Sequence, residues 1–334
     1  MSFCMRVLMM SLMLLAFPAV AKDIDNKKSS GLSWPIPWDE MLALRYDVTQ
    51  SKRDERKDKP ASGYSSSYVV TISGRSTGKG YEQSWQSDHN QMALLTPDPI
   101  MESMVESLAE STKNKPMLIV LDGDGYFQSL REAESWAVII RTAMHSALDS
   151  YFKSTQVFKA LSVEEQDKAY EDYQKKMAPV MSAIGSESFV TSMLTKLPAV
   201  YNDFAGGGLP LGQDIAFEHE SENPLGGKPF PMHVTARLDR AKEDPYVTVT
   251  VRSRLNSEKA APILLDTVKK LLPDLTEDDL KSNEVQDIFK NMDIGGDVEY
   301  RINTVTGVVH YLNIVERKRF PNRSEIETTQ MVLK

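Results

Sequence analysis

Phe230-Pro231-Met232-His233-Val234-Thr235-Ala236-Arg237-Leu238-Asp239 decides the fold of this chain. Phe230, Met232, Val234, Ala236 and Leu238 alternate with His233, Thr235, Arg237 and Asp239, the period-two signature of a strand with one buried and one wet face. Val247, Val249 and Val251 repeat it against Thr248, Thr250 and Arg252. Toward the C-terminus two helices are expected, about 257–271 and 277–291, the second capped by Thr276 with Asp279 at capping-box spacing. Strands follow at 297–303, 308–318 and 323–333, the first two joined through Thr304-Val305-Thr306-Gly307.

Toward the N-terminus, residues 162–203 read as wholly helical. Ser162 and Glu165 form a capping box. Tyr170, Tyr173, Met177, Val180, Met181 and Ile184 make one apolar stripe, Gly185 breaks it, and Phe189, Val190, Met193, Leu194 and Leu197 make a second. Gly206-Gly207-Gly208 ends the helical section. Before it lie a helix from Glu132 to Phe152 and a hairpin in which Met117–Leu121 and Tyr126–Leu130 flank Asp122-Gly123-Asp124-Gly125. Asp98-Pro99 opens another helix to about residue 112, with Ile100, Met101, Met104, Val105 and Leu108 on one side.

Further upstream, Leu42, Leu44, Tyr46 and Val48 alternate with Arg45, Asp47 and Thr49. A polar stretch, Ser51–Ser66, interrupts, alternation resumes through Tyr68–Ile72, and Gly74–Gly80 turns the chain into a strand at Tyr81–Ser87. Structure is expected to begin near Trp34-Pro35-Ile36-Pro37-Trp38.

Residues 1–21 read as an export signal. Arg6 precedes the apolar run Val7–Phe17, and Pro18-Ala19-Val20-Ala21 ends in the small-x-small pattern that precedes cleavage. Eleven apolar residues are too few to span a bilayer, which takes roughly 20 in a helix. Cleavage after Ala21 and a periplasmic location are expected, and no later apolar run reaches membrane-spanning length. Cys4, the one cysteine, lies inside this segment, so residues 22–334 have no disulfide, thiolate metal site or cysteine nucleophile. Removing Arg6 leaves 38 basic against 47 acidic residues, a net charge of −9, with no basic cluster of the kind that binds nucleic acid.

The resulting division is a signal peptide (1–21), a flexible leader (22–33), an N-terminal β-rich half with helices (34–160), a helical connector (161–205) and a C-terminal β-rich half with two helices (206–334). Both halves read as strands, helix, then a Gly-turned hairpin, which fits either a duplication or a single α+β domain whose elements recur. The expected fold is α+β: long antiparallel strands from both halves form one curved sheet or two related sheets, with the central helices packed across one face. In architecture this is similar to the half-barrel lipid-binding proteins of the bacterial envelope, lipoprotein carriers among them, without a shared motif.

No motif of catalysis emerges. Gly74-Arg75-Ser76-Thr77-Gly78-Lys79-Gly80 spaces its glycines by three residues, has Gly80 where a phosphate loop needs Ser or Thr, and precedes a strand rather than a helix. With Gly125 at the sixth position of a calcium loop, Val120 and Arg131 fall where the anchoring ligands belong. In Glu218-His219-Glu220-Ser221-Glu222, strand alternation sends His219 away from Glu218 and Glu220, which fits a solvated edge. The histidines at 89, 145, 219, 233 and 310 lack helical zinc spacing. No cofactor and no metal site is expected.

Twelve of the 17 methionines lie beyond residue 21, and Met101, Met104, Met144, Met177, Met181 and Met193 fall on expected helices. Methionine is flexible and polarisable, so such surfaces adapt to ligands of varied shape; packing on a sheet as core is the competing reading. The candidate ligand contacts are Met101, Met104, Met177, Met181 and Met193. The functional expectation is a non-enzymatic envelope protein holding a lipid or other apolar ligand between sheet and helices. The alternatives are an envelope scaffold that meets a protein partner through sheet edges or the Trp34–Trp38 segment, and a cell-wall or lipid hydrolase.

Overall fold

The protein is described from a computed structural model covering residues 31–88, 91–96, 111–112, 115–223, 227–241, 244–271, 288 and 291–334. The N-terminal half contributes β1 (Leu32–Ser33), β2 (Leu42–Arg56), β3 (Ser62–Ser76), β4 (Tyr81–Ser87), β5 (Gln91–Leu94), β6 (Met117–Leu121) and β7 (Phe127–Leu130). Four helices follow: α1 (Ala133–Ser154), α2 (Gln156–Lys159), α3 (Val163–Ile184) and α4 (Glu187–Tyr201). Then come β8 (Gly207–Leu209), β9 (Asp214–Ser221), β10 (Phe230–Asp239), β11 (Tyr246–Leu255), α5 (Ser257–Leu271), β12 (Asp293–Asn303), β13 (Val309–Phe320) and β14 (Arg323–Leu333).

The fold is α+β, built on one curved 12-stranded antiparallel sheet. Its order is β7-β6-β4-β3-β2-β14-β13-β12-β11-β10-β9, with β5 pairing β3, while β1 and β8 form a separate two-stranded sheet. Strands of the two halves meet at β2 and β14, in register from Arg56↔Arg323 to Tyr46↔Leu333. Of the two sheet arrangements compatible with the sequence, the single sheet is the one observed.

Local rules read from the sequence account for most elements. In β10 the apolar set Phe230, Met232, Val234, Ala236 and Leu238 is buried, and each wet-face residue alternates with it. The capping box forms at α3: the Ser162 backbone N–H donates to Glu165 Oε2 at 2.9 Å. Gly185 separates α3 from α4, as its position between two apolar stripes requires. Asp122 turns the β6–β7 hairpin by accepting from the backbone N–H groups of Asp124 (3.1 Å) and Tyr126 (3.0 Å), with Gly125 at φ 85°.

One expectation fails. Ser51–Ser66 does not interrupt the sheet: β2 runs on to Arg56 and β3 starts at Ser62, each 15 residues long. Alternation continues there in polar letters, because Gln50, Lys52 and Asp54 point to the same face as Tyr46 and Val48. In the Trp34–Trp38 segment both tryptophan rings are buried. Trp34 Nε1 donates to the Phe204 carbonyl at 2.9 Å, and Trp38 lies so close over Gly74 that a Cβ there would sit 2.1 Å from its ring.

The expected signal and most of the leader, the helix with Met101 and Met104, His89, and nearly all of the expected 277–291 helix lie outside the described residues.

Candidate functional site

The site begins with how α4 is fastened. Its C-terminal end is locked to the inner face of the sheet through Tyr201, which sits among Trp38, Tyr46 and Trp85 with ring centroids 6.4, 5.6 and 5.4 Å away. The Tyr46 hydroxyl donates to the Val309 carbonyl at 2.7 Å, so in its 2.8 Å bond to Tyr201 it must accept, and Tyr201 donates. Burial, followed by the neighbouring Tyr201, pushes the Tyr46 hydroxyl well above the ordinary tyrosine value. Both stay protonated in physiological conditions.

A second set of bonds closes around the same point. Gln83 and Asn202 exchange two side-chain hydrogen bonds at 2.8 and 3.0 Å, Trp85 Nε1 donates to Gln83 at 2.8 Å, and Tyr300 donates to the Val200 carbonyl at 2.9 Å. Every side chain in this knot has a partner, which is the condition for such a network to rigidify rather than destabilise. The C-terminal end of the helix is thus fixed to the sheet, while at the other end Phe189 and Val190 are buried and Arg141 donates two hydrogen bonds to the Gly185 carbonyl.

Between α4 and the sheet is a cavity of about 570 Å³. Its roof is α4, through Phe189, Met193, Leu194, Lys196 and Leu197, spaced as one face of a helix. Its floor is the inner face of β2, β3, β4, β13 and β14, and Met117 and Trp136 close one side. The volume lies within the roughly 300–1,000 Å³ typical of small-molecule sites.

The wall is divided. Val70, Trp85, Met117, Phe189, Leu197 and Ile314 make an apolar section, edged by Lys115 over the Trp136 ring, while Lys52, Lys196, Lys318 and Glu327 make a charged one. Sheet register explains the division. Along the inner face, the row Leu312, Met331, Val48 gives way to Ile314, Thr329, Gln50, then to Glu316, Glu327, Lys52 and finally to Lys318, Glu325, Asp54. One end of three neighbouring strands therefore carries a charged floor, two rows from the apolar row of Leu312, Met331 and Val48.

These charges are paired. Arg323 grips Asp54 with two hydrogen bonds of 2.7 and 2.5 Å, and Arg56 adds a 2.8 Å contact to the same carboxylate. Lys52 and Lys318 share Glu325 Oε1 at 3.0 and 3.5 Å, and Lys196 reaches down from α4 to Glu316 Oε2 at 2.5 Å. Burial lowers Lys318, opposed by Glu316 and Glu325 and reinforced by the nearby Lys196 and Lys52. For Lys196, burial also pulls downward, but Glu316, Glu327 and Glu325 together overcome it and leave the ammonium above its ordinary value. Tyr68, on the cavity wall, is pushed up to about 12 by burial.

Of the candidate methionines, Met193 lines the cavity. Met181 is buried in the core, and Met177 packs against it, both away from the cavity wall; Met101 and Met104 lie outside the described residues. The charged residues of the floor escape a hydrophobic pattern, which does not register them. Their signal in the sequence is the alternation of Glu316 with Lys318 and of Arg323, Glu325 and Glu327.

Other motifs resolve plainly. Gly74–Gly80 contains the end of β3 and a turn in which Thr77 N–H donates to the Gly80 carbonyl at 2.9 Å. Glu218–Ser221 lies on the edge strand β9, where Glu218 pairs with Lys259 at 3.0 Å. Among the described residues, no three His, Cys, Asp or Glu side chains are grouped to hold a metal ion. Also among them, no helix is long and apolar enough to cross a membrane.

No family model matches the chain, and no curated protein matches it in sequence. Among solved structures it is similar to one titled "Lipid-protein interactions in lipovitellin", at 11% identity and a TM-score of 0.42, over 87% of this chain and 25% of that one. The chain thus spans about a quarter of that protein, and a likeness this slight says nothing of function.

Proposed function

We propose that this chain is an exported, non-enzymatic binding protein of the bacterial envelope that holds a lipid or another ligand with an apolar tail between α4 and the inner face of the sheet. The observation that carries the proposal is the cavity of about 570 Å³ between α4 and the inner face of the sheet, with Val70, Trp85, Met117, Phe189, Leu197 and Ile314 on its wall. Burying a hydrocarbon tail there removes apolar surface of both partners from water at about 25 cal/mol per Å². The signal-like residues 1–21 support export.

Native mass spectrometry of the gently purified protein tests this reading. Adducts whose masses match lipids, lost on organic extraction, are the expected result. Trp85 and Trp136 on the wall provide a second readout, because a tail added to the stripped protein changes their fluorescence. Absence of adducts together with unchanged tryptophan emission across a series of single-chain lipids would overturn the proposal.

A further inference from the structure

We infer that the ligand is an amphiphile with an anionic head, carboxylate or phosphate monoester, whose head is received by the ammonium groups of Lys52, Lys196 and Lys318; this rests on the lipid-binding reading above. The argument starts from the cost of the charged floor. Burying ions is expensive, and ion pairs of this kind are often no more stable than well-packed apolar residues. A sheet that only needed to close its core would continue in β2, β13 and β14 the apolar rows seen at Val48, Leu312 and Met331.

The arrangement is also asymmetric. Four lysines reach the cavity wall; Lys115 stands apart, bonded to Ser135 and over the Trp136 ring, whereas Lys52, Lys196 and Lys318 cluster in front of their carboxylate partners Glu316 and Glu325, which are absent from the wall. Among the described residues, Glu327 is the single carboxylate on the wall. Each ammonium has three N–H donors. Lys52 and Lys196 each spend one contact on a carboxylate, leaving donors for an incoming oxygen. Lys52 and Lys318 share one oxygen of Glu325, so their nitrogens are neighbours and one head group meets both. Burial first, and the neighbouring lysines after it, lower the proton affinity of Lys318. An anion placed among the three relieves both through charge-assisted hydrogen bonds, which are roughly twice as strong as neutral ones. The tail then runs along the apolar section, from Ile314 toward Trp85 and Met117.

The test uses the purified, lipid-stripped protein and three probes with the same tail: palmitate, palmitoyl lysophosphatidate and neutral monopalmitoylglycerol, each titrated below its micellar concentration by calorimetry and tryptophan fluorescence. At least one anion is expected to bind about tenfold or more tightly than the neutral probe, the order of one charge-assisted hydrogen bond. Which anion wins identifies the head group. Lys52→Gln should bring the ratio of anionic to neutral affinity toward one. It suits the purpose because Glu325 keeps Lys318 at 3.5 Å and Arg323 at 3.6 Å, so no carboxylate is stranded. Equal binding of all three probes by the wild-type chain would overturn the inference and leave the lipid reading standing, whereas failure of all three to bind would remove both.

Discussion

Replacing Arg323 by methionine tests how the charged floor is held together. Asp54 and Arg323 are 269 residues apart in the chain and meet across β2 and β14, with side chains 6% and 8% exposed. Methionine removes both hydrogen bonds and leaves a buried carboxylate facing Arg56, a side chain 41% exposed. Removing one partner of a buried ion pair costs about 3–5 kcal/mol. Because Arg56 and water can reach the stranded carboxylate, the lower end, about 3 kcal/mol, is expected. Replacing both residues, Arg323→Met with Asp54→Leu, removes the orphaned charge, and apolar substitutes for a buried pair are often neutral or stabilising. The double variant should therefore be more stable than Arg323→Met alone. Urea denaturation followed by tryptophan fluorescence measures all four corners of the cycle, and the coupling should lie in the range of about 0.5–3 kcal/mol seen for contacting residues. Strict additivity, or a loss below about 1 kcal/mol for Arg323→Met, would refute the account of a paired, dry charge.

Tyr201→Phe deletes the hydroxyl that donates to Tyr46 and should lower stability by about 1–2 kcal/mol, read as a shift in denaturation midpoint. Gly74→Ala places a Cβ 2.1 Å from the Trp38 ring, so a loss of about 1–3 kcal/mol from overpacking is expected, with altered near-ultraviolet circular dichroism from the displaced indole. Burial first, and the Arg301 charge second, lower His310 below its ordinary value of 6.5. The folded state therefore binds fewer protons there than the unfolded chain. Its contribution is present above about pH 6.5 and is lost as pH falls through the lowered value. Melting temperature should accordingly decline less below that pH in His310→Asn than in the unmodified protein.

Legibility in the sequence follows the chemistry of each segment. In β10 and β11 the buried face is written in Phe, Met, Val and Leu, so both the strand and its orientation are readable from the order of residues alone. In β2 the same geometry is written past Val48 as Gln50, Lys52 and Asp54, and a rule that equates burial with hydrophobicity ends the strand there. Lys52 and Asp54 lie on the inner face because Glu325 and Arg323, roughly 270 residues away, supply the opposite charges. The same limit applies to the site. Helical spacing marks Phe189, Met193, Leu194 and Leu197 as one face of α4, but not whether that face meets a filled core or open space.

By itself the sequence determined the periodicities, and with them the strands, the caps and turns, and which side of most strands avoids water. Those are local consequences of backbone geometry and side-chain polarity. Only the tertiary structure decided that β2 and β14 join the two halves into one sheet, that charged side chains of β2, β13 and β14 share one floor, and that α4, locked at Tyr201, leaves a cavity above it. Each depends on pairing between residues far apart in the chain, where an energy is set by a distance that no stretch of sequence contains.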